Sequence, residues 1–148
     1  MARLERLFDG VLIHDAIMYM TSEMDLHKAI QTTYLHCRKT GVAMFVPDFV
    51  RETFKPSTKH GGHDRHGRGL RYLAWTYDPD REDDTYLTGF AYLIKDTDGS
   101  VLAVYDRHIM GLFPRDIWLG MLAEVGFQPR IFIDPDQRSI FTGIKPGD

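Results

Sequence analysis

Cysteine is almost missing from this chain of 148 residues. Cys37 stands alone, which excludes an intramolecular disulfide and any cysteine-rich zinc site. Long hydrophobic runs are missing too. No stretch approaches the ~20 apolar residues a membrane helix needs, and the opening Met-Ala-Arg-Leu-Glu-Arg does not read as a signal peptide. Nor is there an excess of one charge. Eighteen Lys and Arg against 21 Asp and Glu leave a net charge of −3, which does not suggest a nucleic-acid binder. What is present, 43% apolar and 26% charged residues, suits an ordinary folded domain rather than a disordered tail or a membrane protein. The expectation is a single soluble, cytoplasmic domain over residues 1–148, burying roughly 70% of its unfolded surface.

The charges are unevenly placed. Arg51, Lys55, Lys59, Arg65, Arg68 and Arg71 face only Glu52 and Asp64 in their stretch, while Asp78 to Asp84 holds five acids and one arginine. Two solvated loops attracting each other at long range is the plain reading; a basic binding lip is the alternative.

Gly10-Val-Leu-Ile-His14 reads as a strand buried on both faces. Ser22 with Asp25 suggests a capping box opening a helix whose stripe is Leu26, Ile30, Thr33/Tyr34 and Cys37. Arg38 and Lys39 would fill its last turn, and Gly41 would stop it. Val42–Val46 is a second strand. Strand, helix, strand with short joints makes a parallel, right-handed βαβ unit. From Val50 to Arg71 both periodicities vanish, which predicts a long loop of the kind that is often functional. Three strands follow, Leu70–Tyr77, Tyr86–Lys95 and Val101–Met110, as an antiparallel meander with a type I′ turn at Asp98-Gly99. Pro114 opens a second helix with Ile117, Met121 and Val125 on its stripe, flanked by Trp118 and Leu122, and Gly126 closes it. Arg130–Ile133 and Ser139–Ile144 are the last strands.

Three segments in this order resemble the C-terminal half of class I S-adenosylmethionine-dependent methyltransferases. Phe8-Asp-Gly-Val-Leu-Ile-His-Asp-Ala-Ile-Met-Tyr-Met20 is similar to that family's fourth strand and the loop after it. Gly41-Val-Ala-Met-Phe-Val-Pro-Asp48 is similar to the fifth strand, and Leu112 to Phe127 to the helix before the closing hairpin. The resemblance covers nearly the whole chain. It implies an α/β fold: a partial Rossmann-like mixed sheet of about four strands, two main helices and a substrate-side loop and β-meander inserted over residues 50–110. It also implies that the last strand lies antiparallel between the second strand and Arg130–Ile133. The family's glycine-rich turn and ribose-holding acid have no counterpart, since Gly61, Gly62, Gly67 and Gly69 follow no expected strand and do not form G-x-G-x-x-G. The chain is therefore expected to be an acceptor-side half, inactive or nearly so alone.

Candidate chemistry falls in four places. His14, Asp15 and Ala16, with Tyr19, sit at the carboxyl end of the first strand, where open α/β sheets bind ligands. The resemblance implies that this loop faces the methionine part of the cofactor, with Tyr19 near the transferred methyl; local turning and packing is the alternative. His60-Gly-Gly-His63-Asp-Arg-His66 invites a metal reading, but a glycine-rich loop lacks the rigid ligands and support a metal needs, and no metal is expected. His60 is instead a candidate proton acceptor and His63 an acceptor contact, with solvated loop histidines the plainer reading. Asp106 and His108 share a strand face, an arrangement for a general base or a merely polar pair. Asp48, Arg71, Tyr72 and Trp75 complete the expected acceptor contacts, while Cys37 reads as core.

Two functions stand against each other: methyl transfer to a small-molecule acceptor using S-adenosylmethionine, or a non-catalytic binding module derived from such an enzyme. In either case the Gly10–His14 strand would lack a neighbour on one side, and no Pro or Lys blunts that edge. The expected partners are the small-molecule acceptor and a second copy or a separate cofactor-binding chain, with neither nucleic acid nor membrane.

Overall fold

Eight strands and two α-helices follow one another along residues 4–147, the part described by the computed structural model. The residues group into two units, Met1–Phe54 with Gly111–Asp148, and Lys55–Met110.

The first unit holds β1 (Phe8–His14), α1 (Glu23–His36), β2 (Cys37–Val46), α2 (Arg115–Val125), β7 (Gln128–Ile133) and β8 (Ser139–Ile144). Its four-stranded mixed sheet has the order β1-β2-β8-β7. β1 and β2 are parallel, and β8 lies antiparallel between β2 and β7, as the resemblance implied. Ser22 caps α1 through the Asp25 N–H at 3.2 Å and returns its hydroxyl to the Asp25 carboxylate at 2.8 Å. Leu26, Ala29, Ile30 and Thr33 form the buried side of that helix. α2 starts one residue later than expected, because Pro114 is its extended N-cap rather than its first helical residue. Gly126, at φ +106°, closes it in a Schellman pattern in which Phe127 N–H reaches the Leu122 carbonyl. Trp118, Met121 and Leu122 are the residues it buries, with Ile117 and Val125 only half-buried beside them. Trp118 stacks on Phe141 at 4.8 Å and tilts against Phe45, joining helix to sheet.

Two expectations fail here. α1 does not run on to Gly41 but ends at His36, and Cys37–Thr40 belong to β2. The Lys145 ammonium donates to the Tyr34 and Cys37 carbonyls, closing the helix early. Arg38 turns away to a bidentate pair with Asp9. Cys37 is still core, fully buried, and its burial pushes the thiol pKa up. β1, in turn, is not buried on both faces: Leu12 is 64% exposed, and its sheet neighbour Met44 is exposed too. The helix-side face carries the core (Ala43, Phe45 and Phe141), while the opposite face shows Leu12, Val42, Met44 and Phe132 to solvent.

The second unit holds β3 (Ser57–Arg65), β4 (Arg68–Tyr77), β5 (Thr85–Lys95) and β6 (Val101–Gly111, whose last residue belongs to the first unit), ordered β3-β4-β5-β6. The expected loop over 50–71 is thus mostly strand, and the meander has four strands instead of three. Apolar alternation is missing from Ser57–Arg65 because this edge strand carries polar and glycine residues on both faces. Gly61 sits under the Tyr72 ring and Gly62 beside Arg71, close approaches that a side chain would obstruct. The type I′ turn is at His66-Gly67, where φ is +50° and +80°. At Asp98-Gly99 only Gly99 has positive φ. The Asp96 carbonyl accepts from Gly99 N–H, and Asp96 N–H returns to the Ser100 carbonyl, giving a three-residue loop with a bulge. Arg71 pairs with Asp64 and Arg68 with Asp96, inside the same sheet. Among the described residues no helix is long and apolar enough to cross a membrane.

Candidate functional site

β1 and β2 run parallel with His14 opposite Val46, so the segments leaving their carboxyl ends emerge side by side. Asp15 takes φ +47°, unusual without glycine, and its carbonyl accepts from Met18 N–H at 2.9 Å. That reversal sets a single 3-10 turn, Ala16–Tyr19. Ile17 and Met18 are buried and pin the turn, while Ala16 and Tyr19 face out, Tyr19 at 51% exposure. Asp48, just past β2, points its N–H at the Met18 sulfur at 3.2 Å. His14 Nδ1 meets the Asp15 carboxylate at 3.0 Å, with both side chains open to solvent. His14, Asp15, Ala16, Tyr19 and Asp48 therefore gather at one end of the first sheet, where open α/β sheets bind ligands.

The other candidates lie in the second unit and are divided between its faces. Residues directly opposite across paired strands share a face, as do every second residue along a strand. The pairings Gly61–Tyr72–Tyr92 and His63–Leu70–Ile94 put His63 and Tyr72 on one face. His60–Leu73–Ala91 and Gly62–Arg71–Leu93 put His60 and Arg71, with Trp75, on the other. Tyr72 and Trp75 project from opposite faces, as do His60 and His63; the odd spacing in H-x2-H-x2-H turns successive histidines apart.

On the Tyr72 face an aromatic row leads to a base. Tyr72 and Tyr92 have ring centroids 6.5 Å apart, Phe90 stacks on Tyr92 at 5.6 Å and 7°, and His108 stands edge-on to Phe90 at 5.2 Å. His108 Nε2 lies 3.0 Å from Asp106 Oδ2. An ionised Asp106 carboxylate would accept from Nε2–H and so orient the imidazole. His108 is only 26% exposed, so the ring is half-sheltered and its carboxylate partner is open. The sequence showed only that these strands are rich in aromatics; the β4–β5 register, Tyr72 opposite Tyr92 and Ala74 opposite Phe90, is what aligns the row. The arrangement can orient a flat or ring-shaped molecule over the aromatics beside an imidazole able to accept a proton.

The described residues offer no counterpart of a glycine turn between strand and helix with an acid at the next strand end. Gly61, Gly62, Gly67 and Gly69 belong to the β3–β4 hairpin. The β1 and β2 ends supply His14, Asp15, Ala16, Tyr19 and Asp48. Such a set fits one edge of a sulfonium nucleoside and leaves its ribose and base unheld.

No protein-family model and no curated protein matches the chain. Solved structures do. KedS8, a sugar N-methyltransferase from Streptoalloteichus sp ATCC 53650, superposes with a TM-score of 0.87 at 24% identity, over 99% of this chain and 59% of its own. DesVI of Streptomyces venezuelae gives 0.86 at 20% identity, over 97% and 61%. CalS10, an amino pentose methyltransferase of Micromonospora echinaspora solved with S-adenosylmethionine bound, gives 0.82 at 16%, over 98% and 61%. The fold is a methyltransferase fold. The chain spans about three-fifths of the length of these methyltransferase-fold structures.

Proposed function

We propose that the 148 residues form the acceptor-side part of an S-adenosylmethionine-dependent methyltransferase that modifies an amine or hydroxyl of a small molecule. The observation that carries this reading is the Asp106–His108 pair set at the end of the Phe90–Tyr92–Tyr72 row, in a chain whose sheet order β1-β2-β8-β7 follows a methyltransferase fold. The neighbours named for sugar and amino pentose methylation support a polar, ring-shaped acceptor.

The cofactor, when bound, supplies a methyl group already activated for in-line displacement. What remains for the protein is orientation, exclusion of water and removal of one proton. The His108 imidazole takes the proton from the acceptor nitrogen or oxygen, and Asp106 steadies the imidazolium that results. Tyr72, Phe90 and Tyr92 hold the acceptor ring, with His63 on the same face. Tyr19 and the His14–Asp15–Ala16 turn belong to the methionine end. On this reading His60, Arg71 and Trp75, which lie on the other face of the second sheet, do not belong to the acceptor set.

The chain by itself should hold S-adenosylmethionine weakly, since the ribose and adenine contacts are missing from the described residues. Among the described residues β1 is an edge strand of its sheet, which could seat a segment providing them. Calorimetric titration of the 148-residue chain tests the first point: a dissociation constant above roughly 100 μM, equivalent to about 5.5 kcal/mol, is expected. Micromolar binding would mean that the site has been misplaced. In a system competent for transfer, His108→Gln should lower turnover by roughly 100-fold or more. Unchanged turnover would leave the non-catalytic module as the better reading.

A further inference from the structure

His36, the last residue of α1, is a titratable side chain that methyl transfer leaves unused. It is 8% exposed, and both of its ring nitrogens are engaged. Nδ1 lies 2.7 Å from the Thr32 carbonyl oxygen, one helical turn back, and Nε2 accepts from the backbone N–H of Leu4 at 2.8 Å. A carbonyl can only accept and a backbone N–H can only donate. The ring therefore carries its hydrogen on Nδ1 and its lone pair on Nε2, a geometry that suits neutral imidazole and not imidazolium. What His36 holds is a discrete piece of chain. Phe8 pairs with Cys37, but the β1–β2 register then breaks, and the regular ladder starts at Gly10 opposite Val42. Ahead of that break, residues 4–8 rest on the end of α1 through the Leu4 bond and the Phe8–Cys37 pair. Leu4 and Leu7 are exposed, so their side chains add little burial to hold the segment down.

We propose that His36 is a proton-operated latch: neutral, it fastens residues 4–8 to the end of α1, and protonated, it releases them. A hydrogen on Nε2 turns the Leu4 contact into two donors facing each other and takes away the acceptor of that amide. The contact to Leu4 gives way, rather than the one to Thr32, because a helix C-terminal carbonyl accepts more strongly from an imidazolium than from a neutral ring. The ionisable groups on the elements that meet there do not offer the new charge a partner. Lys145 already places its ammonium on the Tyr34 and Cys37 carbonyls and over the Tyr34 ring, and Arg6 lies over the Phe8 ring. The Asp9 carboxylate of β1 is taken up by Arg38 of β2 at 2.9 Å. Glu5 and Lys39 are exposed, and burial pushes the Cys37 thiol up and keeps it neutral. The proposal is independent of methyl transfer, since residues 4–8 lead into the amino end of β1 and the candidate site lies at its carboxyl end.

NMR of the isotope-labelled 148-residue chain between about pH 7.5 and about pH 5, the range in which imidazoles change charge, tests the latch. At the upper pH the His36 ring should show its hydrogen on Nδ1, and the backbone order parameters of residues 4–7 should be roughly 0.8. At the lower pH those order parameters should fall below about 0.6, along the same titration curve as the His36 ring. His36→Gln, whose amide oxygen can accept from the Leu4 N–H without titrating, should keep the segment ordered at both pH values. His36→Phe, which offers no acceptor, should leave it loose at both. A wild-type segment that stays ordered at the lower pH would overturn the proposal, whether or not the ring has titrated. A ring with its hydrogen on Nε2 at the upper pH would overturn it too, as would a pH-dependent loosening that persists in His36→Phe.

Discussion

Trp118 shows how one side chain can serve a core and still carry a cost. It is buried against Phe141 and Phe45, yet its indole N–H has no hydrogen-bond partner among the described residues. An orphaned buried donor costs about 1–3 kcal/mol. Trp118→Phe removes that donor while keeping a ring on Phe141, so chemical denaturation should show a loss under about 1.5 kcal/mol, against about 3–5 for Trp118→Ala. Equal losses would mean that the N–H is satisfied. Acid sensitivity is set by other single residues. The Arg138 backbone N–H, helped by the Arg138 side chain at 2.8 Å, holds the Asp134 carboxyl below its ordinary 3.8. Asp64 is lowered chiefly by its hydrogen bond from Arg71. A carboxyl whose folded pKa lies below its unfolded one adds stability that is complete above the unfolded value and is lost as pH falls through the folded one. Urea midpoints should therefore hold steady down to about pH 5 and fall below about pH 4, with a shallower fall in Asp134→Asn. An identical fall in both proteins would remove Asp134 from the account.

Among the elements, those with one clear period and a marked end were legible. α2, the β7–β8 hairpin and the parallel β1–β2 pair all follow from apolar spacing and their bounding glycines. The order of β8 between β2 and β7 came from the resemblance, not from spacing. Three things escaped for physical reasons. β3 has polar and glycine residues on both faces, so it carries no alternation to read. The end of α1 is set by Lys145, 108 residues beyond Cys37, and no local stop signal at Gly41 could compete with that contact. Turn chemistry at Asp98-Gly99 suited both a two-residue and a three-residue loop, and the latter formed. His66-Gly67 took the type I′ geometry instead, although histidine is an uncommon partner for it. Gly67→Ala should cost about 1–2 kcal/mol, because φ +80° is unfavourable for any residue with a β-carbon. An unchanged denaturation midpoint would show that the hairpin adds nothing to stability.

At the scale of the molecule, the candidate residues were legible as types but not as a site. His108 with Asp106 was readable from their spacing of two, and the His14–Tyr19 segment from its place after a strand. Parity along the expected Leu70–Tyr77 strand already parts Tyr72 from Arg71 and Trp75, but the division of His63 from His60 was not legible, because β3 had to be recognised as a strand before parity could sort its histidines. The claim on which everything else depends is that these 148 residues supply the acceptor side of methyl transfer. Fusing the chain behind the cofactor-binding segment of a methyltransferase of the same fold, and following radiolabelled methyl transfer to a panel of small amines and alcohols, tests it most directly. The expected result is transfer by the fusion, its loss in His108→Gln, and none by the 148-residue chain alone. A fusion that folds and binds S-adenosylmethionine, yet transfers no methyl group to any acceptor, would contradict it.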